Sequence, residues 1–348
     1  MNPAKSYEHL FSPLDKGDEA FGSPGVISFL RAPHIEMKLE AMKSSGARFA
    51  FLGVPFEEGN IGKPGSVEGP RDMRFMSHEY FPYWFEYEVD INGHFVDVGD
   101  VRIPKVDPKT SLSRVYKAVR AILEAGLVPV LCGGDHSITI PAARALSDHL
   151  GKSKSIGYLQ LGAHLRMADE WAGERESSAS VLARVTELPN IKAANVAQVG
   201  MRNSMNPKDW CDLAKERGVN IFTMNEIVDN GIDSVIAKAA DKVWKGTDAQ
   251  YISVDMNVLD ASAAPGVTAP EPGGLDAREM MRVANHLGAR GTASVIDLTE
   301  LCPVVDTNGI TTKLGACFLL RLVAALARAR GERVDQSLRR PSLATKRA

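Results

Sequence analysis

Short β-rich runs alternate with longer helical patterns between about residues 48 and 328, and this alternation restricts the fold more than any other feature. The runs with the β-branched and aromatic enrichment of buried strands are residues 49–54, 95–98, 128–131, 156–161, 196–199, 219–222, 251–254 and 294–298. Strands that alternate with helices are typical of βαβ units, whose strands run parallel. The sequence therefore predicts an α/β fold with a mostly parallel sheet of about eight strands, flanked by helices.

Helical spacing is clearest in three stretches between the predicted strands. Apolar residues from Leu112 to Ile122 recur on one helical face, and Gly126 follows where a helix would end before the next strand. Similar patterns predict helices at residues 276–287 and 311–327. The last of these is apolar on most sides, so we expect it to be well buried.

The domain organisation is predicted to be simple. We expect residues 46–330 to form one α/β domain, because open sheets of this length commonly share one core. Residues 1–45 are irregular, with Pro and Gly around an apolar patch at residues 26–30, and are interpreted as an N-terminal arm that contacts a neighbouring subunit. Residues 331–348 are polar and rich in Lys and Arg, which is typical of a solvated tail.

Composition excludes several classes of partner. The formal net charge is only -2, so no basic surface is expected to recruit nucleic acid. The most apolar stretch, residues 314–326, contains Arg321 and is too short to span a bilayer, so no membrane segment is predicted. The four cysteines are Cys132, Cys211, Cys302 and Cys317. They lack the paired spacing of a zinc site, nothing resembles a signal peptide, and a cytoplasmic protein with reduced thiols is expected.

Polar residues gather after four of the predicted strands. The segments concerned are residues 132–137 (Cys-Gly-Gly-Asp-His-Ser), 162–166 (Gly-Ala-His-Leu-Arg), 255–260 (Asp-Met-Asn-Val-Leu-Asp) and 299–300 (Thr-Glu). In an open parallel sheet the ligand site lies beyond the carboxyl ends of the strands. We therefore expect these four segments to converge on one site.

These segments, with others along the chain, resemble the ureohydrolase family of arginase and agmatinase. The further motifs are Gly53-Val54-Pro55, Lys63-Pro64-Gly65, Gly69-Pro70-Arg71, Asp97-Val98-Gly99-Asp100, Val199-Gly200-Met201-Arg202, Ala264-Pro265-Gly266 and Gly273-Gly274-Leu275. The resemblance covers most of the chain and implies a three-layer arginase-like fold. It also implies chemistry in which two divalent ions, usually manganese and sometimes nickel, hold a hydroxide that attacks a guanidinium carbon.

The resemblance implies that only half of the metal ligands remain. Six side chains hold the metals in the family. The positions that match the family ligands are His136, His164 and Asp255, and the positions that have lost an aspartate are Gly162, Arg166 and Asn257. The histidine that is thought to shuttle protons is also replaced, near Ser177 and Ser178. By contrast, Glu300 matches the guanidinium-binding glutamate and is interpreted as a residual substrate-binding residue.

Charge decides what these replacements mean. The ligand cluster changes from about -4 to about zero, and hard divalent ions need anionic oxygen ligands. We expect no binuclear centre and no cofactor on this chain alone. A single ion on the three surviving ligands would require Arg166 to move away. The alternative without metal is a satisfied hydrogen-bond cluster around Arg166, with Glu300 as a further partner of its guanidinium.

Three functional hypotheses follow from the resemblance. In the first, the chain is the metal-poor partner of a homologous ureohydrolase subunit that carries two nickel or manganese ions, and the complex hydrolyses a guanidine or biguanide. In the second, the chain is itself a hydrolase of guanidines or amidines, with one metal or with Arg166 and Asp255 as catalysts. In the third, a homo-oligomer binds a guanidinium ligand through Glu300 and regulates without cleaving it.

Overall fold

The computed structural model describes residues 27–332. The strands are β1 (Phe49–Val54), β2 (Tyr83–Trp84), β3 (Val89–Asp90), β4 (Phe95–Asp100), β5 (Val128–Gly133), β6 (Ile156–Leu161), β7 (Val196–Met201), β8 (Asn220–Thr223), β9 (Ala249–Asp255) and β10 (Val295–Thr299). Eight of them form one sheet in the order β4-β1-β5-β10-β9-β6-β7-β8. Every pair of neighbours in this sheet is parallel. The predicted α/β fold with a parallel eight-stranded sheet is therefore confirmed.

Helices cover both faces of the sheet. They are α1 (Leu39–Ser44), α2 (Gly69–Ser77), α3 (Pro108–Glu124), α4 (Thr139–Leu150), α5 (Val181–Val185), α6 (Lys208–Arg217), α7 (Met224–Asn230), α8 (Ile232–Trp244), α9 (Ala277–Gly288) and α10 (Ile310–Ala329). Successive side chains of a strand point to opposite faces. Phe51 of β1 accordingly belongs to an apolar cluster with α2 and α7 to α10, whereas Leu52 belongs to a second cluster with α1 and α3 to α6. The result is a three-layer structure.

The predicted helices agree closely with the observed ones. The apolar face of α3 is buried at the predicted spacing, and Gly126 follows it with a φ of 81°. Helix α9 begins one residue after Asp276, whose side chain caps it by accepting a hydrogen bond from the Glu279 amide. Helix α10 is long and apolar enough to cross a membrane by length and composition alone, but 72% of its most apolar stretch is buried inside the protein. It is a core helix, as predicted from its sequence.

One feature differs from the sequence-based expectations. Strands β2 and β3 form a separate antiparallel hairpin that periodicity did not reveal, because each strand has only two residues. Within residues 27–45 of the predicted arm, Phe29 is buried and stacks on Phe51 of the same chain, with ring centroids 4.4 Å apart. Contact of this arm with a neighbouring subunit stays a prediction. The remainder of the predicted arm and residues 333–348 of the predicted tail lie outside the described residues. The domain boundaries stay a prediction.

A buried ion pair ties α2 to the edge of the sheet. Arg74 donates from Nε to Asp97 Oδ2 at 2.7 Å and from Nη2 to Asp97 Oδ1 at 3.0 Å, and Asp97 is fully buried in β4. Asp97 Oδ2 also accepts from the Phe29 amide at 2.8 Å, which fastens the N-terminal segment to the same carboxylate. Removing one partner of such a pair leaves an uncompensated buried charge.

We predict that Arg74→Met lowers the free energy of unfolding by about 3–5 kcal/mol. The matched control is Arg71→Met on the same helix, since the Arg71 side chain is 70% exposed and its loss should cost less than about 1 kcal/mol. Urea unfolding followed by circular dichroism measures both values. Equal losses in the two variants would contradict the structural role of Arg74.

Candidate functional site

The four polar segments predicted to converge do meet at one edge of the sheet. Strands β5, β10, β9 and β6 are consecutive neighbours, and their carboxyl ends deliver His136, Glu300, Asp255 and Arg166. All four side chains are nearly or completely buried. The site is therefore enclosed in protein, and its charges interact strongly because little water screens them.

Arg166 occupies the centre of the site. Its Nη2 donates to Asp255 Oδ2 at 2.8 Å, and its Nε approaches the same oxygen at 3.2 Å. The same Nη2 lies 3.3 Å from Glu300 Oε1. The backbone of Arg166 has a φ of 55°, which an L-residue adopts only when its surroundings hold it there. A guanidinium is thus fixed between the two carboxylates.

The pKa values of these groups reflect two opposing effects: burial disfavours each charge, and the neighbouring opposite charge favours it. Burial acts to raise the pKa of Asp255, but Arg166 and His136 outweigh it and hold the pKa well below its usual range. For Glu300 burial is stronger than the attraction of Arg166, so its pKa is raised. Burial acts to lower the pKa of Arg166, but Glu300 and Asp255 more than offset this. Asp255 and Arg166 are consequently both charged at neutral pH.

His136 is oriented by a chain of hydrogen bonds behind it. Its Nε2 lies 3.0 Å from Ser253 Oγ, and that hydroxyl donates to Asp297 Oδ1 at 2.8 Å. Because the single hydroxyl proton is committed to Asp297, His136 donates from Nε2. Its Nδ1 faces Asp255 Oδ2 at 3.4 Å and makes no hydrogen bond within the described residues.

His164 departs from the expected satisfied cluster. It is only 4% exposed, yet neither ring nitrogen finds a hydrogen-bond partner among residues 27–332. Burial, assisted by the positive charge of Arg166, lowers the pKa of His164 to about 4, so the ring is neutral at pH 7. The expectation that all three surviving ligand positions join one hydrogen-bond cluster is therefore wrong for His164.

The replaced and residual positions are also packed into the protein. Asn257 accepts at Oδ1 from the Ala269 amide at 3.0 Å, while its Nδ2 has no partner among the described residues. A Cβ added at Gly162 would lie 3.4 Å from Asp255 Cβ, which is an ordinary contact. Glu300 accepts from the His136 amide at 2.9 Å and from the Thr268 hydroxyl. Packing thus does not force the loss of a side chain at residue 162.

These residues do not fit a binuclear centre. Within residues 27–332 no group of three or more His, Cys, Asp or Glu side chains is arranged to hold a metal ion. The surviving carboxylate, Asp255, is already engaged by Arg166. Two imidazoles that share their site with a guanidinium lack the anionic oxygen ligands that hard divalent ions require.

The neighbouring motif residues have structural roles. Asp135 accepts from the Ser137 amide at 2.7 Å and from the Gly59 amide at 3.0 Å, which closes the turn after β5. A Cβ on Gly134 would lie 1.8 Å from the Phe56 carbonyl oxygen, so only glycine fits there. Asp260 likewise accepts from the Ser262 amide at 2.9 Å. Burial and the charge of Glu300 raise the pKa of Asp135 to about 7.

A cavity of about 240 Å³ lies on this site and includes residues that sequence reasoning missed. Its polar lining comes from His164, Arg166 and Glu300, and its apolar lining includes Trp171 and Trp210. The two indole rings pack edge to face with centroids 6.2 Å apart. They lie far apart in sequence and outside any motif, so only the folded chain shows that they face the same cavity.

We predict that His164 makes stability depend on pH. Its folded pKa of about 4 lies below its ordinary 6.5, so the unfolded chain takes up this proton first as the pH falls, and stability is lost between these two values. From pH 7 to pH 5 the loss should be about 2 kcal/mol. His164→Phe should remove this component, measured as the difference between the two proteins in urea unfolding at each pH. Parallel pH dependences would contradict it.

Comparison with known proteins agrees with the geometry. A guanidinopropionase from Pseudomonas aeruginosa is 29% identical over 310 residues, covering 87% of this chain and 92% of that protein. The mitochondrial agmatinase of Gallus gallus is 28% identical, with 87% and 86% coverage. The structure of the proclavaminate amidino hydrolase from Streptomyces clavuligerus superposes with a TM-score of 0.79 at 26% identity, covering 88% of this chain and 98% of that one. The arginase family model matches residues 47–324, and the chain therefore belongs to the arginase family.

Proposed function

We propose that this chain is the non-catalytic subunit of a guanidine or biguanide hydrolase of the metformin hydrolase kind. The two divalent ions, nickel or manganese, would be held by a homologous subunit with an intact metal site, and the complex would release an amine or a urea-type product. The observation that carries the proposal is the Arg166 guanidinium bound between Asp255 and Glu300. We place the complex in the cytoplasm, since all four cysteines are free.

The charge of Arg166 supports a metal-free centre. A dication about 5 Å from a guanidinium is repelled by about 7 kcal/mol at an effective dielectric constant of about 20. Arg166 cannot relieve this repulsion by losing its proton, because a guanidinium stays protonated in proteins. It is also 3% exposed and held by two carboxylates, so moving it away would leave Asp255 buried without a counter-ion.

The two alternatives have less support from the contacts. A one-metal or metal-free hydrolase needs Asp255 as a free ligand or base, but Arg166 holds its pKa far too low for proton transfer near neutral pH. A guanidinium-binding regulator needs Glu300 to receive a second guanidinium. That carboxylate already accepts from the His136 amide and the Thr268 hydroxyl and lies against Arg166.

A partner subunit also needs a surface to bind, and the β2–β3 hairpin offers one. Trp84 points inward and is 9% exposed, whereas its neighbours Tyr83 and Phe85 point outward and are 48% and 80% exposed. Phe81, just before β2, is 58% exposed. Large apolar side chains grouped on a surface mark sites of protein association. We infer that the metal-holding subunit contacts this aromatic surface, Phe81, Tyr83 and Phe85.

We predict the following metal contents by plasma mass spectrometry. The pure chain should contain close to no nickel or manganese, and a complex co-expressed with an intact homologue should contain about two ions per partner chain. Turnover by the complex should survive Asp255→Asn in this chain. A content near two ions per chain in the pure protein would overturn the proposal.

The control for that measurement restores the lost ligands. The variant Gly162→Asp/Arg166→Asp/Asn257→Asp brings back the three carboxylates that the resemblance implies, and it should bind metal when the wild-type chain does not. Metal in the triple variant shows that the assay detects a site at this position.

The contact surface generates a separate prediction. Phe85→Asp should weaken the complex with the metal-holding subunit at least tenfold, because a carboxylate would be buried against apolar atoms. The matched control is Val228→Asp, a 79% exposed position in α7, which packs against β8 at the opposite edge of the sheet from β4. Biolayer interferometry gives both dissociation constants. Equal effects would place the contact elsewhere.

A further inference from the structure

The cavity above Arg166 has the construction of a ligand site rather than of a packing defect. Its volume is about 240 Å³, enough for a ligand of roughly ten non-hydrogen atoms. Apolar walls and a small number of polar groups are typical of small-molecule sites. Trp171 and Met205 line the cavity and are 46% and 52% exposed, so it communicates with solvent at these side chains.

Two polar groups that line this cavity retain unused hydrogen-bonding capacity. Both ring nitrogens of His164 are unpartnered within residues 27–332, although the side chain is more than nine-tenths buried. Arg166 uses Nε and Nη2 on Asp255, while its Nη1 makes no hydrogen bond to any described residue. A neutral imidazole offers one donor and one acceptor, and Nη1 offers donors only.

These groups select the chemistry of the ligand. A guanidinium ligand carries donors only, so it would meet the Nη1 donors of Arg166 and the same sign of charge. The Glu300 carboxylate also lines the cavity, but it already accepts two hydrogen bonds and lies against Arg166. A carboxylate ligand would meet Asp255 and Glu300, which lie 2.8 Å and 3.3 Å from Arg166. A urea or amide is uncharged, accepts through its carbonyl oxygen and donates through its N–H groups. It matches both Arg166 and His164 without adding charge.

We propose that this cavity binds a small uncharged urea or amide with a flat apolar substituent, and rejects the guanidinium of the same shape. The apolar substituent packs against Trp171 and Trp210, and the carbonyl oxygen accepts from Arg166. The role of this ligand rests on the proposed function, because ureas are the uncharged products of guanidine hydrolysis. The non-catalytic subunit then responds to product and not to substrate.

The test uses two probes of nearly identical shape, phenylurea and phenylguanidine, the second being a cation at pH 7.5. Titration calorimetry on the pure full-length chain should give a phenylurea dissociation constant of about 0.1–10 mM, as expected for a ligand of about ten atoms. Phenylguanidine should bind at least tenfold more weakly. Equal affinities, tighter binding of phenylguanidine, or no binding of phenylurea would each overturn the proposal.

Three variants locate the binding. His164→Phe keeps a ring but cannot form a hydrogen bond, and should weaken phenylurea binding at least fivefold. Trp210→Ala removes a wall and should do the same. Arg166→Met frees Asp255 and Glu300 and should reverse the preference towards phenylguanidine. Where this variant fails to fold, the first two keep the proposal testable, and the exposed Val228→Ala serves as the control that should bind like the wild type.

The outcomes separate this inference from the proposed function. If the chain binds phenylurea but forms no complex with any intact homologue, the subunit proposal is overturned and the binding-site proposal is supported. If the complex contains metal but the pure non-catalytic chain does not bind phenylurea, the subunit proposal stands and the binding-site proposal is overturned. Unchanged affinity in both His164→Phe and Trp210→Ala would place any observed binding outside this cavity.

Discussion

The ion pair between Arg166 and Asp255 is the interaction on which the chemistry of this chain depends. It joins the end of β6 to the end of β9, and Glu300 at the end of β10 completes the enclosure. A buried pair of this kind adds little net stability, because desolvating both ions costs nearly as much as their attraction returns. Its effect is instead to decide which further charges the centre can accept. With Arg166 in place, the carboxylate that would receive a metal ion already has its cation.

The surroundings of the pair remain those of an ordered ligand site. Asp297, fully buried behind His136, accepts from Thr139 at 2.8 Å, Tyr251 at 2.6 Å and Ser253 at 2.8 Å. These donors hold the carboxylate, and through Ser253 they fix the ring of His136 so that its Nδ1 faces Asp255. Supporting hydrogen bonds of this type orient metal ligands in other proteins. Here the same support orients an imidazole towards an ion pair.

The sequence predicted the location of the site and its charged residues, but not all of the contacts that surround them. Short β-rich runs between helical patterns predicted all eight strands of the main sheet, and the strand ends then predicted which segments meet, because parallel strands deliver their carboxyl ends to one edge. The β2–β3 hairpin was not predicted, because strands of two residues are too short to show a periodic pattern. The lack of hydrogen-bond partners for His164 and the contact between Trp171 and Trp210 both depend on how distant loops pack. No local sequence pattern predicts such packing.

The ion pair also changes how the chain can assemble. A cluster of four carboxylates without metal repels itself, so folding of such a site is coupled to metal binding. In this chain Arg166 supplies the compensating charge as part of the sequence, and the centre is close to neutral as soon as the strands β6, β9 and β10 come together. On the proposed function, this chain would therefore fold without an ion. The proposed non-catalytic subunit would then reach its final shape independently of the metal supply, and it would present a complete surface to a partner that has not yet bound its ions.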